Sequence, residues 1–282
     1  MKVDHLEYVV RSENRARLFF RKKRWRNYRV FCTACHSYKV SRMPDHRYRC
    51  GRCKYRFQDF TGCFLGKLQI PFRSWIWIIK LFELEVSANR IAQQIELSYP
   101  TVLKAVNLIR MSIVTASKPR WLTGEVELDE SYFGGHQKGH RGRSVGNKIP
   151  VMGILERNGQ VHVHLLKDVT AESLLSLTVK TVRRGSIVYT DKYQGYDALM
   201  FCGYTHLRVD HGKRFAQGQV YINGLEGFWS YAKERLAKFH GVSREHFPLY
   251  LKEMEFRYNH RDDPQGLFIR LAQNLLNSVP KL

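Results

Sequence analysis

Residues 125–129 read Glu125-Val126-Glu127-Leu128-Asp129, a strict alternation of acidic and aliphatic side chains. Successive residues of a strand point to opposite faces. The pattern therefore predicts a strand with Val126 and Leu128 on one face and Glu125, Glu127 and Asp129 on the other. Downstream, 149–156 and 160–166 are apolar-rich runs joined at Asn158-Gly159, the dipeptide of a tight hairpin turn. Residues 171–182 suit a helix and 186–189 a buried strand ending at Thr190-Asp191. A short helix and a strand near 204–209 follow. Residues 223–239 predict a helix with two faces. Leu225, Phe228, Trp229, Ala232 and Leu236 form its apolar stripe, and Asn223, Glu226, Ser230 and Lys233 line up opposite. The basic, glycine-rich stretch 134–148 reads as a mobile loop.

Three strands with a hairpin, helix, strand, helix, strand, helix is the order of a ribonuclease H-like domain, a mixed five-stranded sheet with helices against its faces. In that arrangement Asp129 on the first strand and Asp191 at the end of the fourth lie side by side, and Glu226 closes over them. Acids are scarce, 25 Asp+Glu against 47 Lys+Arg for a net charge of +22, so three that converge invite a metal explanation. Hard Mg²⁺ or Mn²⁺ prefers carboxylate oxygens. Two such ions about 3.5–4 Å apart suit in-line displacement at phosphorus. Taken singly, each acid has an ordinary role open to it. Asp129 could pair with an arginine, Asp191 could cap the following helix, and Glu226 could be an exposed neighbour of Lys233.

The chain's 282 residues are long enough for two domains, or one with attachments, and 44% hydrophobic residues exclude intrinsic disorder. The charge is uneven: residues 1–60 hold 17 Lys+Arg and 5 Asp+Glu. These cations interleave with Trp25, Tyr28, Phe31, Tyr38, Tyr48, Tyr55 and Phe57, which favours nucleic acid over a membrane surface as the partner. The most apolar run, Trp75-Ile76-Trp77-Ile78-Ile79, stops at Lys80, far short of the ~20 residues of a membrane span. The first twenty residues mix acids and arginines and lack the apolar core of a secretory signal.

Cys32-x2-Cys35 and Cys50-x2-Cys53, fourteen residues apart, have the spacing of a four-thiolate zinc ribbon. His36 and Gly51 fall where the tight turns want permissive residues, and 48–50 and 55–57 read as ribbon strands. Disulfides fit poorly with a chain lacking an export signal, and a redox CxxC comes singly. Cys63 and Cys202 read as ordinary buried thiols. Between 67 and 120 the pattern is helical. Pro71 opens one helix, with Trp75, Ile76, Ile79 and Phe82 at helical spacing. Ser87 or Asn89 caps a second with Ile91, Ala92 and Ile95, and Ser98 or Thr101 caps a third burying Val102, Val106 and Ile109. This is the layout of a DNA-reading helix-turn-helix, and equally of a packing spacer.

The motifs "GEVELDESYFGG", "VYTDKYQGY" and "NGLEGFWSYAKERL", behind the ribbon and the helical segment, resemble bacterial insertion-sequence transposases of the IS1595 (ISXO2-like) family. The resemblance covers nearly the whole chain and implies an α+β multidomain protein. Its expected parts are a basic arm and zinc ribbon at 1–66, a helix-turn-helix-like segment at 67–120 and a ribonuclease H-like DDE domain at 121–282. It implies a cytoplasmic, nucleoid-associated DNA transposase that cuts and rejoins double-stranded DNA, at element ends and target, with two Mg²⁺ or Mn²⁺. A structural Zn²⁺ sits on Cys32, Cys35, Cys50 and Cys53, and the protein works as a dimer or larger, with no membrane role. The alternative is a nuclease or DNA-binding regulator derived from such an enzyme. The first two acids map to Asp129 and Asp191. The family varies at the third position, where an Asn matching Asn223 and a downstream lysine matching Lys233 are often counted. Glu226 lies 35 positions after Asp191, and a carboxylate binds Mg²⁺ better than an amide, which favours Glu226. Glu253, Arg257 and Arg261 match a further charged cluster of the family.

His136, His140, His162 and His164 lack the further ligands of a second zinc site. His206 and His211 follow a strand near the acids and could contact a phosphate or water. Gly134-Gly135 has no nucleotide-loop context, and no Ser/His/Asp or Cys/His arrangement stands out.

Overall fold

Two helices begin the chain: α1 (Val3–Val10) and α2 (Glu13–Arg24). The computed structural model describes residues 1–282 except 2, 46, 135–147, 210–221, 240–241, 278 and 280–282. The loop expected at 134–148 falls almost wholly outside the described residues, as do His136, His140 and His211. Ser12 caps α2 by accepting from the Arg15 amide at 3.3 Å. Ala16 and Phe20 face inward, and Arg21, Lys22, Lys23 and Arg24 crowd the last turn, where the helix dipole favours cations.

Strands β1 (Val40–Arg42), β2 (Tyr48–Cys50) and β3 (Arg56–Phe57) form an antiparallel ribbon over Trp25, Tyr48 and Phe57. Asp59 ties it to α2. This carboxylate is 2% exposed and accepts from the Trp25 indole (2.9 Å), the Tyr48 hydroxyl (3.0 Å) and Arg17 (2.9 Å), with Arg21 at 3.4 Å. Helices α3 (Phe72–Glu83), α4 (Ala88–Ile95) and α5 (Tyr99–Ala116) follow closely where the apolar spacing puts them, with Val102, Val106 and Ile109 buried. Ser87 caps α4, whereas Ser98 bonds the Thr101 hydroxyl at 2.8 Å instead of a backbone amide. Glu96, at φ 54, turns the chain from α4 into α5.

The chain divides into two compact units, residues 1–118 with 260–282, and residues 119–259. In the second, β4 (Glu125–Phe133), β5 (Ile149–Glu156) and β6 (Val161–Leu165) run antiparallel, each to the next. α6 (Ala171–Thr181), β7 (Ile187–Thr190), a 3-10 helix (Gln194–Cys202) and β8 (Thr205–Arg208) come next. The sheet order is β6-β5-β4-β7-β8, with β4, β7 and β8 parallel, the mixed five-stranded sheet that the element order predicts. One face carries Val126, Leu128, Met152 and Ile154 against α6 and the 3-10 helix. The other carries Val151, Leu155, Val161 and Val163 against α7 (Asn223–Ala237) and α8 (Phe247–Asn259).

The edge strand β6 is closed by side chains of α8. Asn259 bonds both the amide and the carbonyl of Val161 at 2.8 Å, and Glu255 accepts from the Val163 amide at 2.8 Å. An open strand edge would invite pairing with another chain, and these bonds occupy it.

The last helix, α9 (Leu267–Leu275), belongs with the first unit, packing against α2, α3 and α5. This corrects the expected run of the third segment from 121 to 282: its amphipathic tail, through Phe268, Leu271 and Leu275, completes the helical unit instead. Ribbon and helices, expected as separate segments, likewise fall in one unit.

Three helices have no capping side chain of their own and receive a glutamate from elsewhere. Glu13 accepts from the Phe72 amide at the start of α3 (2.6 Å), Glu83 from Phe268 of α9 (3.0 Å), and Glu127 from Leu225 of α7 (2.9 Å). Each carboxylate meets the positive end of a helix dipole. Among the described residues, no helix is long and apolar enough to cross a membrane.

Candidate active site and metal centre

The parallel register of β4 and β7 sets Glu127 opposite Tyr189. Two residues further on stand Asp129, within β4, and Asp191, the first residue beyond β7, close enough for the charge of Asp191 to act on Asp129. β7 ends at Thr190, so Asp191 sits at the carboxyl end of its strand, where ligands collect in sheets of this kind. Its carboxylate accepts from the Tyr193 amide at 2.9 Å, so it also orders the turn into the 3-10 helix.

α7 brings the third acid over the same edge. Leu225, Phe228, Trp229 and Ala232 are buried against the sheet, which leaves Asn223, Glu226, Ser230 and Lys233 exposed. Its N-terminus docks closely because two glycines make room. A Cβ on Gly224 would lie 2.4 Å from Leu155 Cδ2 and 2.8 Å from Glu127 Oε2. One on Gly153 would lie 2.6 Å from Trp229 Cζ2. Lys233 Nζ lies 6.0 Å from the centroid of Phe133, at the end of β4.

Many acids elsewhere in the chain are ion-paired. Glu125 and Glu127 pair with Arg157 (2.6 and 3.1 Å), Glu156 with Arg120, Asp197 with Arg208, and Asp263 with Arg270. Among the described residues, none of Asp129, Glu130, Asp191 and Glu226 has a basic partner, in a chain of net charge +22. Burial, reinforced by the charges of Asp191 and Glu226 and opposed by the Trp229 indole, pushes the Asp129 carboxyl up to about 6. Burial likewise pushes Glu130 up to about 7, against the Tyr196 hydroxyl that donates to it, with Asp129 and Asp191 adding to the rise. Carboxylates without a basic partner that crowd beside β4 and the end of β7 suit a hard divalent cation. They stand further apart than a closed ligand cluster. Among the described residues, only Cys32, Cys35, Cys50 and Cys53 form a group with every ligand atom within 4.8 Å of the others.

Those four cysteines are free thiols. Cys32 and Cys53 sulfurs lie 3.6 Å apart, as do those of Cys35 and Cys50. The edge of a tetrahedron around zinc with 2.3 Å bonds is about 3.8 Å, so the four can hold zinc with little movement. The Cys53 amide donates to Cys50 Sγ at 3.4 Å and lowers that thiol, while the neighbouring sulfurs raise Cys53. The left-handed turn positions are His36 (φ 56) and Lys54 (φ 63), each just after the second cysteine of a knuckle. Gly51 plays a different part: its amide bonds the Lys39 carbonyl at 2.6 Å, against which a Cβ would crowd at 3.3 Å.

Other residues singled out in the sequence take structural places. Glu253 and Arg257 form a buried pair at 2.8 Å within α8, and Arg261 pairs with Asp262. His162 and His164 sit on β6, where burial lowers both, His164 to about 4. His206 meets the Thr190 hydroxyl at 2.8 Å, one residue before Asp191, and burial lowers it too. Cys63 is buried with its thiol raised by burial, and Cys202 is half-buried. Sequence reasoning missed the Trp229 indole, which donates to Asp129 Oδ2 at 3.0 Å, and the Glu127–Arg157 pair beneath α7. A tryptophan in an otherwise polar-free stripe was the available signal, because a buried indole N–H needs an acceptor.

Residues 121–259 match the ISXO2-like transposase domain. An uncharacterized transposase-like protein of Haemophilus influenzae is 41% identical over 103 residues, 36% of this chain and 84% of that protein. An uncharacterized protein in transposable element ISH50 of Halobacterium salinarum is 29% identical over 269 residues, 87% of this chain and 90% of that one. Among solved structures, the Mos1 strand transfer complex is similar at 15% identity, covering 70% of this chain and 72% of that one. Its TM-score of 0.32 is too low to transfer anything. Domain and relatives define the class, a transposase. The chain belongs to the IS1595 (ISXO2-like) family of insertion-sequence transposases.

Proposed function

We propose that this protein binds the ends of an insertion sequence and, with two divalent metal ions, cuts and rejoins DNA strands on a ribonuclease H-like domain. The observation that carries this reading is the set of carboxylates with no basic partner at one edge of the sheet in a strongly cationic chain. Bound Mg²⁺ or Mn²⁺ would supply activation of the attacking oxygen and stabilisation of the leaving one. Asp129 and Asp191 would hold the ions, and Glu226 would complete the set as a charged ligand from α7. Asn223, one turn earlier on the same exposed face, has only an amide oxygen to offer. Lys233 meets a DNA phosphate as a point charge. Water would attack a phosphodiester at the element end and break its P–O3′ bond, freeing a 3′-hydroxyl; that hydroxyl would attack a target phosphodiester and displace the target's own 3′-oxygen, with no covalent protein intermediate. Zinc on Cys32, Cys35, Cys50 and Cys53 stiffens the ribbon, and ribbon and α4–α5 grip duplex DNA through their cations and aromatics. Two ends held at once require at least two protomers.

A plasmid strand-transfer assay in Mg²⁺ tests the reading. Asp129→Ala and Asp191→Ala proteins are expected to bind end DNA and yield no joined products; parent-like activity in both overturns the assignment. Glu226→Gln and Asn223→Ala, made separately, identify the third ligand as whichever abolishes chemistry while sparing DNA binding. Nicked but never joined DNA from the parent would mark a nuclease, and binding without either a regulator.

A further inference from the structure

Asp129 is held from the side by one specific donor. The Trp229 indole nitrogen donates to Oδ2 at 3.0 Å, from a ring that is 5% exposed and wedged between Phe133 (5.9 Å) and Phe228 (5.1 Å). The ring reaches that place through a gap in the sheet. Directly opposite Asp129 in the β4–β5 register stands Gly153, and a Cβ there would lie 2.6 Å from Trp229 Cζ2 and 2.8 Å from Leu225 Cδ2. Any other residue at 153 would push the indole off the carboxylate. Tryptophan is also the one apolar-bodied side chain of this size that only donates, so it fixes an acceptor oxygen without competing for a cation.

We propose that Trp229 is a positioning residue for Asp129: its indole N–H clamps one carboxylate oxygen so that Asp129 meets a divalent cation in a fixed orientation, and Gly153 keeps the space the ring needs. The inference rests on the reading of Asp129 and Asp191 as cation ligands. A donor that orients a ligating carboxylate belongs to the outer shell of a metal site, whose loss weakens metal binding roughly 10–100-fold. A ring that merely fills space would be replaced by phenylalanine with no such effect.

The test uses the full-length, zinc-loaded protein and Mn²⁺ alone, with bound ion read from the loss of its free electron paramagnetic resonance signal. Trp229→Phe keeps the aromatic packing and removes the N–H. The expected result is Mn²⁺ affinity lowered roughly 10–100-fold in a protein that still unfolds cooperatively. Gly153→Ala, which leaves the indole in the chain and displaces it, is expected to weaken Mn²⁺ binding in the same direction. A measurement on the unaltered protein backs these variants in case either folds poorly. Of the five tryptophan indole N–H signals in a ¹⁵N spectrum, one is expected to move on adding Mg²⁺, and to stay still in Asp129→Asn. If Asp129→Asn and Asp191→Asn abolish Mn²⁺ binding while Trp229→Phe leaves affinity unchanged, the positioning role is wrong and the metal site stands. If Asp129→Asn and Asp191→Asn bind Mn²⁺ like the parent, the site itself is wrong and the positioning role falls with it.

Discussion

Removing the charge of Asp129 is expected to stabilise the protein that it inactivates. In the fold this carboxyl is raised from 3.8 to about 6, by burial first and then by its acidic neighbours. A rise of that size is worth about 3 kcal/mol of destabilisation once the group is ionised. In Asp129→Asn the amide oxygen still accepts from Trp229, and the weaker bond of a neutral acceptor is already contained in that figure. The expected gain is then about 3 kcal/mol, or a urea midpoint higher by about 1.5 M at a slope of about 2 kcal/mol per M. The sign depends on pH. Below about pH 3.8 the group is protonated in both folded and unfolded chains, so the substitution gains nothing. The penalty on the parent grows as pH rises from 3.8 to about 6 and is complete above that. The assay is urea unfolding at pH 4 and pH 7.5 without added divalent ion, followed by tryptophan fluorescence, then repeated with Mg²⁺. Mg²⁺ is expected to raise the midpoint of the parent and leave Asp129→Asn unmoved. An Asp129→Asn protein no more stable than the parent at pH 7.5, or equally stabilised at both pH values, refutes the argument from crowded charge.

Two further outcomes test the first unit. Asp59→Ala leaves the buried Trp25 and Tyr48 donors without an acceptor, at about 1–3 kcal/mol each, while the part-exposed Arg17 and Arg21 turn to water at small cost. A loss of about 2–6 kcal/mol in chemical denaturation is expected, and an undisturbed midpoint refutes the clamp. For the cysteine group, elemental analysis is expected to find about one zinc per chain, lost in Cys50→Ser/Cys53→Ser together with the order of the ribbon. Full zinc content in that variant would remove these residues from the site.

Much of the sheet could be read from residues alone, because both of its signals are local. Alternation placed Glu127 and Asp129 on one face of β4, and Asn158-Gly159 announced the β5–β6 hairpin. The parallel pairing of β4 with β7 followed from element order. α1 and α2 were illegible for a different reason. Arg15, Arg17, Arg21, Lys22, Lys23 and Arg24 surround Ala16 and Phe20, so the inward stripe of α2 is only a few residues wide. The glutamates that finish α3, α7 and α9 come from 59, 98 and 185 residues away, and no capping rule based on neighbouring residues can find them. Glu127 shows the limit at the site. On the strand it is indistinguishable from Asp129, yet Arg157 and the amide of Leu225 consume its charge, whereas Asp129 meets an indole and two other acids.

The placement of α9 bears on how the protein is made. Helices α2, α3 and α5 emerge from the ribosome long before the segment that covers them, because residues 119–259 must be synthesised in between. Until Phe268, Leu271 and Leu275 arrive, the earlier helices lack the apolar face of α9. A nascent chain therefore has all residues of its sheet unit before α9 arrives to complete the cysteine-and-helix unit. A stop codon shortly after 259 would spare the acids and cripple the other half.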